Sequence, residues 1–298
     1  MTFDVPSNVV RWIANFLTGR TQAVSSDCKL SSWLPITQSI VQGSGIGPLL
    51  YIIFASDLKL LSAVNVLCKY ADDKTLLIPE KTDICLEDEF DHIMFWSAQN
   101  KLKLNLAKTK EMVFHRPSPY HFVDPPLLHN IERVTSFKLL GVLLTNTLSM
   151  DMHVNHILSI VNQRLFLLNL LKKQGLSGKA REIIFQALII SRLSYALPSF
   201  AGFLSCLHVA RFNAFFRKSF RWGLIDRIFD FETLIADAQL RLFKRFKDNI
   251  EHCLHQLLPD LRHASYELRQ RGHNFNLPVV SKVLFKKSYI VNCLYKFR

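Results

Sequence analysis

Acidic residues are scarce in this chain: its 298 residues hold 24 Asp and Glu against 37 Lys and Arg, for a formal net charge of +13 and a pI near 9.6. A surface of that sign attracts polyanions, nucleic acid first and an anionic membrane surface second. Glycine and proline are also few, at 10 and 11, and 49% of residues are hydrophobic, which excludes collagen-like and disordered readings. Six cysteines, Cys28, Cys68, Cys85, Cys206, Cys253 and Cys293, lie too far apart to suggest a disulfide framework, and read as reduced thiols. The clusters "CLH" (206–208) and "HCLH" (252–255) lack the paired spacing of a structural zinc site and read as isolated core or surface residues. The opening "MTFDVPSNVVRWIANFL" has no basic n-region, apolar h-region or cleavage site, so the expectation is an intracellular protein of nucleus or cytoplasm, not secreted. The apolar run "GPLLYIIFASDLKLLSAVNVLC" (47–68) is broken by Asp57 and Lys59, too early to cross a membrane. No internal repeat or low-complexity tract stands out.

What is there alternates between strand-like and helical segments. Pro6 and Ser7 start a helix over about 8–17, stopped by Gly19, with Val9, Trp12, Ile13 and Phe16 on its expected buried face. Residues 20–48 read as strands and loops, and Pro48 opens a second helix. Residues 64–79 read as strand, turn, strand. A helix over 84–100 follows, acidic at its start, with Phe90, Ile93, Met94 and Trp96 as candidate core; "LKLNL" (102–106) alternates like a strand. The Pro-rich stretch "RPSPYHFVDPP" leads to "VTSFKLLGVLLT", another strand pair. From Ser149 the pattern is helical: one helix through Lys173 with Val154, Ile157, Val161, Leu165 and Leu168 on one face, Gly175 at its end, and another from Ser177 to about Ala196, before Pro198. Residues 203–298 are mostly amphipathic helix, with 17 Lys plus Arg against 8 Asp plus Glu.

Within the strand pair of 64–79, "LCKYADDKTLL" sets Asp72 and Asp73 side by side at the turn. Two carboxylates a few ångström apart repel unless a cation sits beside them. Magnesium relieves that repulsion with octahedral oxygen coordination, completed by waters and substrate phosphates. The plain alternative is a solvated Asp-Asp turn.

The flanking motifs carry a resemblance. "YADD" (70–73) resembles the metal-binding hairpin of reverse transcriptases; "VQGSGIGPLLYIIFASDL" (41–58), "WSAQNKLKLNLAKTKEMVF" (96–114), "SFKLLGVLL" (136–144) and the helical stretch 149–200 resemble, in the same order, further segments of the enzymes of non-LTR retrotransposons. The resemblance implies an α+β fold: a partial right-hand polymerase palm with the YADD hairpin (1–116), a Pro-rich connection and primer-grip hairpin (117–148), a helical thumb (149–200) and a basic helical C-terminal region (201–298). It implies RNA-templated DNA synthesis by two-metal nucleotidyl transfer, with magnesium or manganese held by Asp72 and Asp73, and an RNA template, a DNA primer and dNTPs as partners, and no membrane. Gln42, Gly43, Ser44 and Tyr70 would lie by the template and nucleotide, Lys108 near the triphosphate, and Phe137, Leu139, Leu140 and Gly141 in the primer grip. The resemblance gives no oligomeric state.

The same resemblance implies a further palm Asp on a strand upstream of the first helix. Asp4 is the only acid before that helix, against Pro6 where capping accounts for it, so the expectation is an N-terminally truncated copy with little or no activity. Lys74 directly follows the Asp pair, where an ammonium could compete with a metal for Asp73. The alternative is a non-catalytic nucleic-acid-binding remnant acting through its basic helices, in which Phe212, Phe215, Phe216 and Phe220 form the core face and the cations face phosphates.

Overall fold

The structure is a computed structural model that describes residues 5–36, 43–116, 123–262 and 272–298. Asp4 and Gln42 lie outside the described residues. Contacts divide the chain into two compact units, Met1–Thr109 with Leu128–Ile131, and Lys110–Leu127 with Glu132–Arg298.

In the first unit, α1 (Ser7–Leu17) begins after Pro6 and ends before Gly19, whose φ of +68° is open to a residue without a Cβ. Its expected stripe exists, and the Trp12 and Phe16 rings stack 5.8 Å apart, but the helix buries none of its residues and Trp12 is 55% exposed. The expectation of a buried face is corrected: periodicity marks a stripe, and burial needs a second surface. Four two-residue strands follow, β1 (Thr21–Gln22), β2 (Ser25–Ser26), β3 (Lys29–Leu30) and β4 (Leu34–Pro35), in nested hairpins with β1 on β4 and β2 on β3.

Helix α2 (Gly47–Phe54) carries Pro48 in its first turn and runs into a 3₁₀ turn, Ala55–Asp57. β5 (Val66–Tyr70) and β6 (Asp73–Leu77) form an antiparallel hairpin, followed by α3 (Leu86–Gln99). Ala55, Leu58, Ile93 and Trp96 are the buried core here, packed by Tyr51, Leu60, Leu67, Leu76, Leu102 and Leu104. Phe90 is half-buried and Met94 exposed, so the α3 core face is narrower than expected. The "LKLNL" segment forms no strand: Leu102 and Leu104 turn inward with the period of an extended chain, but no neighbouring strand bonds to them. Glu89 of α3 is fully buried and accepts from the backbone N–H groups of Leu61 (3.0 Å) and Ser62 (2.8 Å) and from Asn65 Nδ2 (2.9 Å), pinning the loop that leads into β5.

In the second unit, β7 (Lys110–Glu111) pairs in parallel with β8 (Glu132–Arg133), and β9 (Ser136–Leu139) with β10 (Val142–Thr145) as a hairpin. Half-buried Arg133 holds the exposed Pro125 and Pro126 of the Pro-rich connection by donating to their carbonyls (2.9 and 2.7 Å) while gripping Glu111 with two nitrogens. Helix α4 (Asp151–Lys173) starts where Ser149 Oγ accepts from the Asp151 N–H, and the five expected core residues, Val154, Ile157, Val161, Leu165 and Leu168, are all buried. Gly175 ends it at φ +94°.

A helical run then passes through α5 (Gly178–Phe185), a π turn (Gln186–Ile190) and α6 (Ser191–Ser194). It breaks at Ala196 (φ +52°) and resumes as α7 (Leu197–Phe200) with Pro198 in the first turn. Among the described residues, Gly178–Phe203 is the helical stretch long and apolar enough to cross a membrane, a feature not singled out in the sequence; its Phe185, Ile189, Leu193, Leu197 and Phe200 are instead buried in the core around α4. Helices α8 (Cys206–Arg221) and α9 (Phe231–Lys247) add Phe212, Phe215, Phe216 and Phe231 to that core. Phe220 is 42% exposed and falls off the expected face. Helices α10 (Val283–Lys287) and α11 (Tyr289–Lys296) close the chain, with Cys293 and Leu294 packed on Phe243 and Phe246. The chain is thus mixed α and β, and among the described residues the strands pair two by two rather than in one broad sheet.

Candidate functional site

The β5–β6 register sets Leu67 opposite Leu76, Lys69 opposite Lys74 and Tyr70 opposite Asp73, leaving Ala71 and Asp72 as a two-residue turn. Ala71 sits at φ +49°, a left-handed conformation that costs a non-glycine residue about 1 kcal/mol or more. The Leu67–Leu76 pair packs on the small core and so fixes the hairpin's root. Its tip stands free: Tyr70 is 66% exposed and Asp72 and Asp73 are exposed.

Lys69 and Lys74 face each other across the ladder, an arrangement that is unfavourable unless each cation finds other partners. Lys69 Nζ donates to the carbonyls of Ala55 (2.7 Å), which begins the 3₁₀ turn, and Leu58 (2.6 Å), which follows it. Burial, then the neighbouring Lys74, push its pKa below the ordinary lysine value, against the pull of Asp57. Lys74 Nζ donates to Tyr51 Oη at 3.2 Å and lies 5.7 Å from the centre of that ring. Its ammonium is thereby drawn towards α2, and neither hairpin carboxylate forms an ion pair with a described residue.

Two uncommitted, exposed carboxylates suit a hard divalent cation, which accepts one or two such ligands beside water and phosphate oxygens. No group of three or more His, Cys, Asp and Glu placed to hold a metal occurs among the described residues.

The other expected residues fall as follows. Gly43 has φ +81° with open space where a Cβ would be, in the turn before α2. Ser44 Oγ accepts from the Gly47 N–H at 3.1 Å, so its hydroxyl starts the helix. Lys108 is exposed in a turn closed by Asn105, whose carbonyl and Oδ1 accept its backbone N–H at 3.1 and 3.2 Å. In the second unit, Leu140 and Gly141 form the β9–β10 turn with φ of +44° and +87°, the two positive values of a tight hairpin. Phe137 and Leu140 are exposed, and Leu139 half-buried. A Cβ on Gly141 would stand 3.0 Å from Tyr195 Cε1, so glycine serves there both for conformation and for room.

Glu89, Arg133 and His153 are structurally committed residues absent from the sequence reading. The partners of Glu89 are backbone groups 27 and 28 residues upstream, which no local pattern reveals. His153 did leave a signal, since it sits four residues before Ile157 on the stripe that goes inward.

Residues 1–144 match the family model described as reverse transcriptase (RNA-dependent DNA polymerase). The chain is similar to the RNA-directed DNA polymerases of the mobile element jockey from Drosophila funebris (27% identical over 228 residues) and Drosophila melanogaster (24% over 232 residues). It is also 23% identical over 231 residues to a probable RNA-directed DNA polymerase from the transposon X-element of Drosophila melanogaster. These alignments cover 70 to 72% of this chain and 24 to 25% of the relatives, so the chain spans about a quarter of the length of the curated relatives it matches. No solved structure gives a significant match. The resemblance read from the YADD hairpin and its neighbours is therefore borne out as a likeness: residues 1–144 match the reverse transcriptase family, and the chain is similar to RNA-directed DNA polymerases of the jockey and X-element mobile elements.

Proposed function

We propose that the chain carries the metal-binding hairpin and the primer-grip hairpin of an enzyme that copies an RNA template into DNA. The observation that carries this reading is the exposed β5–β6 tip, rooted in a core and presenting two carboxylates with no ion-pair partner among the described residues. Asp72 and Asp73 would hold magnesium, or manganese in its place. Bound divalent ions supply stabilisation of charge on the attacking and leaving oxygens. The remaining roles belong to the chain: Gly43 leaves room for a base-paired nucleotide, Tyr70 offers an exposed ring beside Asp73, and Lys108 presents an ammonium for the triphosphate. In this reading β9–β10 is the primer grip, with Phe137, Leu139, Leu140 and Gly141 at its end, and α4 to α7 the thumb.

Activity of this stretch by itself is weak in this reading, because among the described residues the two carboxylates leave a two-ion site short of ligands. Primer extension on an RNA template with purified protein tests both parts. The expected result is faint, magnesium-dependent synthesis abolished by Asp72→Ala. Strong synthesis that Asp72→Ala abolishes overturns the claim of weakness, and synthesis indifferent to Asp72→Ala overturns the assignment of the hairpin.

A second reading, nucleic-acid binding without catalysis, is favoured by the basic helices. The buried Phe212, Phe215 and Phe216 of α8 and Phe243 and Phe246 of α9 leave Arg217, Arg221, Arg241, Lys244 and Arg245 facing water. Binding of that kind weakens steeply with salt as counterions are released, and binding indifferent to salt counts against it.

A further inference from the structure

Opposite charges are segregated on two exposed helix faces. α3 carries four acids, Glu87, Asp88, Glu89 and Asp91, and no Lys or Arg, in a chain of net charge +13. Past Asp151, which bonds His208, α4 holds three Lys and Arg and α8 holds four, and neither holds an acid. The partners of these cations among the described residues are neutral: Arg211 Nη2 donates to Asn155 Oδ1 (2.7 Å), Lys218 Nζ to Asn162 Oδ1 (3.0 Å) and Lys172 Nζ to the Trp222 carbonyl (2.6 Å). The first two bonds join residues seven apart on each helix, so α8 runs parallel to α4 and lays a basic ridge beside its outer face.

That outer face is apolar in its second half. Phe166 and Leu167 are 55% and 57% exposed, and Leu170 and Leu171 are exposed one turn further on. With Ser159, Asn162 and Gln163, the first two line an open groove of about 590 Å³. An exposed apolar surface of this breadth, rimmed by polar groups, marks a place of contact. Exposed Lys173 ends the face, seven residues beyond Phe166. α3 has the matching surface: Glu89, Ile93 and Trp96 turn inward, which leaves Asp88, Asp91, Met94, Phe95 (61% exposed) and Ala98 outward. Asp88 shares one oxygen with the Cys85 thiol and, like Asp91, has no cationic partner among the described residues. It precedes Phe95 by seven residues, so on both helices about 10 Å of axis separates the aromatic ring from the charge.

We propose that α3 of a second copy of this chain docks antiparallel on the outer face of α4, with Phe95 against Phe166 and Leu167 and Asp88 level with Lys173. The antiparallel sense also sets the N-terminus of one helix beside the C-terminus of the other, which favours the pairing of their dipoles. Charge selects this occupant. α4 against a second α4 would bring cation to cation, and a phosphate backbone would satisfy the cations while leaving four apolar side chains uncovered. One helix on one face is a small contact, and a twofold pair would make it twice, so the dimer is expected to be weak, with a Kd on the order of 10 μM. It does not depend on the Asp72 hairpin, whose failure would leave it standing.

Sedimentation velocity of the nuclease-treated full chain, from about 1 to 100 μM, should show monomer giving way to dimer. Phe95→Asp and Phe166→Asp, both at exposed positions, should each weaken the dimer by about tenfold or more while leaving the melting temperature unchanged. Lys173→Glu and Asp88→Lys should each weaken it too, and mixing the two preparations should restore it, because every contact then joins opposite charges. Absence of that restoration overturns the pairing. A monomer throughout the range overturns the proposal, as does an association that Phe166→Asp breaks and Phe95→Asp does not, which marks α4 paired with itself. Flotation of a chain that stays monomeric with phosphatidylserine vesicles, lost in Phe166→Asp, assigns the face to lipid and overturns it as well.

Discussion

The Tyr195 hydroxyl donates to the carbonyl of Leu140 at 2.8 Å, so the residue that follows α6 ties down the turn of a hairpin 55 positions upstream. The bond holds a turn whose two residues both have positive φ, with the tyrosine ring lying against Gly141. Tyr195→Phe should cost about 1 kcal/mol and quicken amide exchange at residues 140–143. Gly141→Ala should cost more, about 2 kcal/mol, because the φ of +87° and the 3.0 Å approach to Tyr195 are both unfavourable to a Cβ. Thermal melts of the two variants beside wild type check the order.

Glu89 is expected to be the most sensitive acid of the first unit. Glu89→Ala leaves the N–H groups of Leu61 and Ser62 and the Asn65 amide without an acceptor, a loss of about 3 kcal/mol or more. Burial by itself raises the Glu89 pKa, but the bonds from Ser62, Asn65 and Leu61, with His92 nearby, outweigh it and hold the carboxyl below its ordinary 4.5. The folded value lies below the unfolded one, so this stabilisation is complete above pH 4.5 and is lost as pH falls through the folded value. Urea unfolding between pH 7 and about 3 should show a shallower decline for Glu89→Gln than for wild type.

Two apolar faces of similar appearance should respond oppositely to truncation. Leu165→Ala opens a cavity at a residue with no exposed surface and should cost about 2–5 kcal/mol. Trp12→Ala, on the uncovered face of α1, should change stability by about 0.5 kcal/mol or less. Denaturant midpoints of the two variants settle the contrast.

Thiol chemistry should divide the cysteines five to one. Burial pushes the Cys293 thiol up to about 11, whereas Cys28, Cys68, Cys85, Cys206 and Cys253 are exposed. At pH 8 a thiol reagent should label five cysteines in the native protein and the sixth only on unfolding, with Cys85 slowed by its contacts to Asp88 at the start of α3.

Legibility followed the range of the interactions. The α4 stripe was readable because five residues at spacings of three and four report one buried face, and the two hairpins because their turns interrupt runs of apolar residues. The stripe of α1 was equally readable, yet its burial was not, since that depends on what else is present. "LKLNL" alternates without a ladder because alternation records which side chains turn inward and is silent about backbone partners. At the site, Asp72 and Asp73 stood out by type and adjacency. The retreat of Lys74 to Tyr51, 23 residues away, could be learned only from the folded chain.

The π turn at Gln186–Ile190, where the Ser191 N–H reaches back five residues to Gln186, makes the helical run one residue longer than an α-helix would need to cover the same rise. Every side chain beyond it is rotated by about 100° from where an unbroken helix would set it. Loss of a single codon within 186–190 would let the ladder close regularly and leave Arg192, Leu193 and Ser194 on their present faces, because the residue removed is the one the wide turn accommodates. The same loss elsewhere in the run has no wide turn to absorb it and would rotate Leu193 off the core, so this short stretch should tolerate the removal of one residue better than the turns on either side.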